Sequence, residues 1–253
     1  MQETSALYKE LFRSEHKVEV RMFINDVVYG MDKIVSILTR LNSLGNSGSP
    51  SVGNVCSAEI ETVLKVPSLD IPRMALLRPQ VRLTDGTRYS EWIEKGYFFV
   101  ATREEDDDIW DETRTITIHG YDAMLKCQKN LITDEGEQGY WPKTDVETVE
   151  LIAQRIGVTV DPRTYEIMNR TYTSSGPCRY QIPYPGFGSG AYTMNDILGY
   201  IGSAYMGNWV ITDNNKLRLI QLEWMPHMET NYIVTEDGDP ITFGDDYRIL
   251  WRE

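Results

Sequence analysis

The stretch FFVATREEDDDIWDETRTITIHGYDAML, residues 98–125, decides the fold of the first half of the chain. Apolar and polar residues alternate at 97–103 and again at 114–119, and this period near two predicts two β-strands. Between them, seven of the nine residues from Glu104 to Glu112 are acids. We expect an antiparallel hairpin with a solvated tip, because backbone polar groups at a tip have few internal partners.

A calcium loop is the alternative interpretation of the acidic run. An EF-hand needs alternating oxygen ligands, a central glycine and a terminal glutamate. The run has no glycine, and Ile109 and Trp110 interrupt it. Acidic residues also suit turns and discourage edge-to-edge strand pairing. The solvated hairpin tip is therefore favoured over a metal site.

The segments that precede this hairpin show the same alternation. A short helical or irregular lead-in over 1–14 comes first, and a Gly/Ser/Asn-rich segment at 42–54 is typical of a mobile loop. The remaining segments alternate or are rich in β-branched residues. They predict strands at 17–28, 33–41, 56–66 and 74–85.

The second half contains helices. Over 144–157, Thr144 and Glu147 match a capping box, and Gly157 suits the position after a helix. A second helix is predicted at 193–207, with Thr193 as its cap and Asp196 three residues on.

A hairpin at 209–222, closed by Asn214-Asn215 in a type I′ turn, follows these helices. Residues 129–143 are turn-rich and suggest a boundary, and residues 170–191 suggest a long irregular segment. The class is therefore α+β, mostly β, with a β-rich first half, a compact β/α piece at about 140–222 and a tail of strands at 223–253.

Composition excludes some classes of function. The 253 residues carry a formal net charge of −13, so the chain lacks the Lys/Arg excess that binds nucleic acid or anionic membranes. No apolar run approaches 18 residues and no signal peptide is visible, so we expect folding in a cytoplasm without membrane insertion. Cys56, Cys127 and Cys178 are widely spaced, which favours reduced thiols over a disulfide framework or zinc site.

No motif identifies an active site. The three histidines, His16, His119 and His227, lie far apart, and a GxSxG elbow is absent from the sequence. His119 and Asp122 are three residues apart, a common arrangement that proves little. A Cys/His pair that meets in space stays open. We therefore predict no enzyme activity and no catalytic, cofactor or metal residues.

Aromatic residues are plentiful on two loops. Tyr140 and Trp141 lie on one, and Tyr180 and Tyr184 lie on the other. Such rings can stack on sugars, but they are also favoured at protein contacts, and we favour the interface.

Three segments resemble phage tail-hub proteins. They are SPSVGNVCSAEIE at 49–61, TDGTRYSEWIEKGYFFVATRE at 84–104 and TITIHGYDAMLKCQ at 115–128. Their order and spacing match the family too. The resemblance covers residues 15–128 well and 144–222 more weakly.

The resemblance implies a structural protein at the tail tip or baseplate of a phage, prophage or phage-tail-like particle. Residues 1–130 would form a β-barrel-like tube domain, 131–222 a small α/β domain, and 223–253 the start of a second tube domain. A full second tube domain needs on the order of 100 residues. Only about 30 follow residue 222, so the trimer of the family is in doubt for this chain.

The family also implies partners and a location. Partners would be further copies in a homotrimer, a distal tail protein, a tape-measure protein and other tail-tip proteins, in a virion tail assembled in the bacterial cytoplasm. Stable nucleic-acid binding is not implied. An acidic tube lumen would repel DNA and let it slide.

The expected contact residues fall in the loop at 42–54 and at the acidic tip. They are Ser49, Pro50, Val52, Asn54, Glu104, Asp106, Asp107, Asp108 and Trp110. Two alternatives remain: a cell-wall carbohydrate-binding module that uses the loop aromatics, and a cell-wall hydrolase that uses His119 or Asp122.

Overall fold

The structure is a computed structural model that describes residues 4–43, 51–65, 71–106, 115–169 and 180–221, and the pairs 242–243 and 247–248. Residues 1–222 form one compact unit. A second unit begins at Glu223, and in it a short antiparallel pair, β14 (Thr242–Phe243) with β15 (Tyr247–Arg248), is described.

An antiparallel sheet of eight strands occupies the first half of the chain, as the alternating sequence predicts. A short helix, α1 (Ala6–Phe12), precedes it, with Ser5 as its cap. The strands are β1 (Lys17–Ile24), β2 (Val27–Tyr29), β3 (Ile34–Arg40), β4 (Glu59–Lys65), β5 (Leu76–Thr84), β6 (Ile93–Glu94), β7 (Phe98–Asp106) and β8 (Thr115–Tyr121). Their order is β2-β1-β5-β7-β8-β4-β3, and β6 adds to β5.

The hairpin predicted from residues 98–125 is present. β7 and β8 pair antiparallel, with Phe99 opposite Tyr121 and Asp106 opposite Thr115, and a bulge lies between Val100 and Thr102. The α+β, mostly β class is thereby confirmed.

The sheet does not close into the barrel that the resemblance implies. β2 and β3 are its two ends, and no pairing joins them in the described residues. β2 has three residues, which is too few to extend a ladder along β3.

Helices and a smaller sheet make up residues 123–221, with the second sheet in the order β10-β13-β12. The elements are two 3₁₀ helices (Ala123–Gln128 and Glu135–Tyr140), β9 (Lys143–Thr144), α2 (Asp145–Ile156), β10 (Thr159–Val160), α3 (Pro162–Met168), β11 (Gln181–Ile182), α4 (Met194–Ala204), β12 (Gly207–Ile211) and β13 (Lys216–Gln221).

Both predicted capping boxes form. Thr144 and Glu147 exchange hydrogen bonds at the start of α2, and Thr193 and Asp196 do so at the start of α4. Gly157 ends α2 in the left-handed conformation. These helix ends are local features, so the sequence predicts them well.

Two local features differ from the sequence prediction. Helix α3 is not predicted, although Asp161 caps it and Pro162 begins it. The β12–β13 turn is also not type I′. Asn215 N–H donates to Thr212 O at 2.8 Å, and Asn215 alone of the turn residues has positive φ, so the turn is type I followed by a left-handed residue.

Two hydrophobic cores lie in the compact unit. One fills the inner face of the large sheet, with Met22, Leu64 and Ile118 fully buried. The other lies between α2, α4 and the smaller sheet around Trp209, whose indole N–H donates to Leu198 O at 2.7 Å. The boundaries at 130/131 and 222/223 stay predictions.

Candidate interaction surfaces

The loop that contains the first resembling segment is tied to the α/β part of the chain. Gly53 N–H donates to Gly207 O at 2.9 Å, and Cys56 N–H donates to Trp209 O at 2.8 Å. Trp209 N–H donates in turn to Asn54 O at 2.8 Å. Residues 53–56 therefore run beside β12 like an added parallel strand.

Gly53 is required by this contact. Its φ is +79°, and a Cβ built on it would lie 2.0 Å from Ser203 Oγ and 3.0 Å from Gly199 O on α4. The loop backbone thus packs directly on the helix, and only glycine allows both the conformation and the close approach.

Asn208 is the polar centre of the same junction. Its side chain is fully buried, and it donates to Ser43 O at 2.9 Å and to Ser51 O at 2.7 Å. Its Oδ1 accepts from Asn54 N–H at 2.9 Å. Sequence analysis misses Asn208, although an asparagine inside the apolar strand GNWVI is a signal of a buried polar role.

Of the four expected contact residues in this loop, the two that the structure describes differ in their surroundings. Asn54 is half-buried, and its side chain donates to Ser51 O at 2.8 Å. Val52 is exposed. Ser49 and Pro50 lie outside the described residues.

The acidic hairpin is described only in its stem. Glu104 is exposed on β7, and Asp106 is the last residue of that strand. Asp107, Asp108 and Trp110 lie outside the described residues. Whether these acids form a contact therefore stays a prediction.

Asp122 joins the exit of the large sheet to the 3₁₀ helix that follows. Its buried carboxylate accepts from Ser57 Oγ at 2.9 Å, from Ala58 N–H at 2.8 Å and from Met124 N–H at 2.9 Å. Burial raises the pKa of Asp122 to about 6, although the three hydrogen bonds to its carboxylate act in the opposite direction and lower it.

Gly120, two residues before Asp122, also packs closely against a neighbouring strand. A Cβ there would meet Phe99 O at 2.9 Å. The GYDAM motif therefore builds a structural junction.

His119 and Asp122 do not form a catalytic pair in the described residues. None of the three groups that donate to Asp122 is His119. His119 lies on the other face of the sheet, opposite Glu61 on β4 and Thr102 on β7.

The four loop aromatics separate into two pairs. Tyr140 is 73% exposed and Tyr180 is 41% exposed. Trp141 and Tyr184 instead pack against the second core. The four rings therefore do not form one continuous exposed surface.

Among the residues that the structure describes, no group of three or more His, Cys, Asp or Glu side chains is placed to hold a metal ion. In the same part of the chain, no helix is long and apolar enough to cross a membrane.

No protein-family model and no curated protein matches the sequence. Solved structures similar to it include the 43 kDa tail protein of prophage MuSo2 from Shewanella oneidensis, at 16% identity and a TM-score of 0.49 over 83% of this chain and 57% of that one. The tail protein from Neisseria meningitidis MC58 shows 10% identity and a TM-score of 0.47 over 89% and 53%.

Both are tail proteins. This is the class that the sequence resembles, and the chain spans a little over half the length of each, 57% and 53%. A more distant similarity is to the Francisella PdpA-VgrG complex in its lidded form, at 5% identity and a TM-score of 0.30 over 46% and 17%.

Proposed function

We propose that the chain is a structural protein of the tail tip of a phage, prophage or phage-tail-like particle, and not an enzyme. It would form part of the end of the tail tube and join the distal tail ring to the tip proteins. Residues 1–130 would be the first tube domain, 131–222 the small α/β domain and 223–253 the beginning of a second tube domain.

One observation carries the proposal: two of the segments that resemble tail hubs meet at one junction. Ser57 and Ala58, from the first segment, donate to the carboxylate of Asp122, from the third. Each segment also contains a glycine, Gly53 in the first and Gly120 in the third, at a close backbone contact that leaves no room for a Cβ atom. The resembling residues are therefore those that hold the sheet against the α/β part.

The acidic part of the outer face of the large sheet, on β4 and β7, suits a place on the tube lumen. Glu59 and Glu61 on β4 and Glu104 on β7 are exposed. Their strands lie on either side of β8, and Glu61 and Thr102 flank His119 in register. An acidic face of this kind would repel DNA and let it pass without sticking.

The two alternative functions have less support. A glycan platform would need Trp141 and Tyr184 at the surface, but both pack against the second core. A hydrolase that uses Asp122 would need a carboxylate free to act, but this one accepts three hydrogen bonds inside the fold.

Immunogold labelling tests the proposal directly. Antibody raised against the chain should label the distal tail end of particles released by the strain that encodes it, and the chain should appear in their mass spectrum. Particles that carry neither label nor peptide would contradict the proposal. Light scattering across a concentration series would then show whether the isolated chain forms the trimer of the family.

A further inference from the structure

The three longest stretches of the sequence without Asp, Glu, Lys or Arg are residues 41–58, 180–195 and 197–212. Charged residues make up 25% of the chain, so uncharged stretches of this length are unusual in it. The first stretch is far in sequence from the other two. The structure nevertheless brings described parts of all three together around helix α4.

The loop at 51–54 meets the C-terminal end of α4. Gly53 N–H donates to Gly207 O at 2.9 Å. Val52 directly precedes the donor residue of this bond, and Met206 directly precedes the acceptor residue. Both apolar side chains are exposed, so the first and third uncharged stretches present them side by side.

Tyr200 continues this surface along the helix. It follows Gly199, whose carbonyl oxygen would lie 3.0 Å from a Cβ on Gly53. The ring of Tyr200 meets the ring of Tyr192 edge-on, with the ring centres 5.8 Å apart. The surface therefore extends from the loop at 51–54 to the residue before the cap of α4.

The loop that leads into α4 adds a third ring. Tyr192 N–H donates to Pro185 O at 2.9 Å and closes this loop on itself. Phe187 lies within the closed loop, and its side chain is exposed. The second uncharged stretch thus contributes two aromatic rings next to the one on the helix.

Five apolar side chains are displayed on this surface, each between 45% and 62% exposed. We call them the neutral patch: Val52, Phe187, Tyr192, Tyr200 and Met206. A fully buried aromatic side chain covers about 150–250 Å², so three half-exposed rings with the other two side chains expose on the order of 500 Å². Apolar patches of this size are often functional, and the cores of protein interfaces are rich in Tyr, Phe and Met and poor in charge.

The backbone of Met206 is a second, independent sign of function. Its φ is +53°, in the left-handed region that a non-glycine residue enters only at a cost. Its side chain is exposed, so burial within the described residues does not offset that cost. Backbone strain of this kind concentrates at functional sites, and a partner that covers Met206 would supply the missing burial.

Two charged residues stand at the start of α4, and they have opposite signs. The Asp196 carboxylate accepts from Thr193 N–H at 2.9 Å and from Thr193 Oγ1 at 2.6 Å. Lys129 is exposed, and its carbonyl oxygen accepts from Met194 N–H at 2.9 Å. The neutral patch has no charge of its own, and these two residues cancel at its border, on a chain whose formal net charge is −13.

We propose that the neutral patch is a self-association surface, at which two copies of the chain meet across a two-fold axis. Two molecules of net charge −13 repel each other, and the repulsion is least where neither presents a charge. Against a charged surface, the rings would strip water from charges without pairing them. The patch is therefore complemented by its own copy.

The area is sufficient for such a contact. Two neutral patches would bury on the order of 1,000 Å² in total, which is the lower limit for a specific protein interface. A reversible dimer is therefore expected. This inference stands on charge and exposure, so it can fail while the tail-tip proposal holds, and the reverse.

Analytical ultracentrifugation of the full chain across a concentration series tests the proposal. We expect a monomer–dimer equilibrium that stops at the dimer, because a two-fold contact closes on itself. Raising NaCl from about 0.05 to 0.5 M should strengthen the dimer, since salt screens the repulsion between the two acidic copies and the contact contains no ion pair.

Y200E is the first variant to measure. It places a carboxylate inside the contact on both copies and should weaken the dimer by roughly tenfold or more, because neither charge finds a partner there. The matched control is F12E, which adds the same charge at an exposed aromatic residue on α1, outside the neutral patch. F12E should dimerise like the native chain.

M206N separates association from folding. Asparagine enters the left-handed region more readily than methionine, so the urea midpoint of M206N should not fall below that of the native chain. The lost apolar contact should still weaken the dimer by roughly tenfold. A loss of dimer that appears only together with a lower urea midpoint would contradict the proposal.

Four further results would overturn it. The chain could stay monomeric at every concentration, or associate into trimers or larger species. Y200E and F12E could weaken association equally. Salt could dissociate the dimer, which would show an ionic contact. A monomeric chain could bind a neutral polysaccharide that Y200E no longer binds, which would show that a glycan is the occupant.

Discussion

Replacing Gly53 with alanine should separate the loop from helix α4. The new Cβ would lie 2.0 Å from Ser203 Oγ and 3.0 Å from Gly199 O, in a residue with φ of +79°. Left-handed strain costs about 1–2 kcal/mol for a non-glycine residue, and overpacking adds about 1–3 kcal/mol. We expect G53A to lower the free energy of unfolding by about 2–5 kcal/mol.

Gly86 provides the matched control, because its φ is +94° and a Cβ there meets nothing within 4 Å. G86A therefore carries the strain alone and should cost about 1–2 kcal/mol. The difference between the two variants isolates the steric contact with α4. Urea unfolding followed by tryptophan fluorescence measures both, and the buried Trp209 reports on the junction.

A double-mutant cycle sharpens this prediction. Ser203 Oγ donates to Gly199 O at 2.9 Å within the exposed face of α4, so S203A alone should change stability by less than about 0.5 kcal/mol. In G53A/S203A the shortest contact, with Ser203 Oγ, is absent. The double variant should therefore be about 1–2 kcal/mol more stable than the sum of the two single changes predicts, and this difference is the coupling between the two sites. Equal losses for G53A and G86A, or no coupling with S203A, would refute the steric argument.

Two further predictions concern the same junction. N208A should lower the free energy of unfolding by about 2–4 kcal/mol, because Asn54 N–H loses its acceptor and Ser51 O loses one of its donors inside the protein. It should also speed protease cleavage between residues 43 and 51. Native-like stability of N208A would contradict this prediction. The raised pKa of Asp122, about 6, predicts stability that is full below about pH 4 and declines by about 3 kcal/mol as pH rises through 6, since the unfolded chain ionises first. D122N, compared with the native chain in urea at pH 4.5 and 7.5, should lack this contribution, and parallel pH dependence in the two proteins would exclude it.

Local patterns in the sequence predict most of the elements. The alternation around residues 98–125 specifies a hairpin, because strand side chains face opposite sides with a period of two. The pairs Thr144 with Glu147 and Thr193 with Asp196 specify helix starts, because a cap involves residues only three positions apart. Asp161 and Pro162 are a comparable local signal at the start of α3, an N-cap followed by proline at the first helical position.

Tertiary structure decides what these elements build. The guanidinium groups of Arg21 and Arg82 both lie over the ring of Trp92, and only the pairing of β1, β5 and β6 makes these residues neighbours. The strand order also leaves β2 and β3 as the two unpaired edges of the large sheet.

The roles of the motif residues were decided in the same way. In sequence, Asn54 and Trp110 were equal candidates for a contact, and Asn208 was unmarked. Packing places Asn54 against Asn208, 154 residues away along the chain, and uses its polar atoms inside the fold. Sequence determines local conformation through short-range sterics and hydrogen bonds, whereas burial, close backbone approach and charge clustering depend on which distant segments meet.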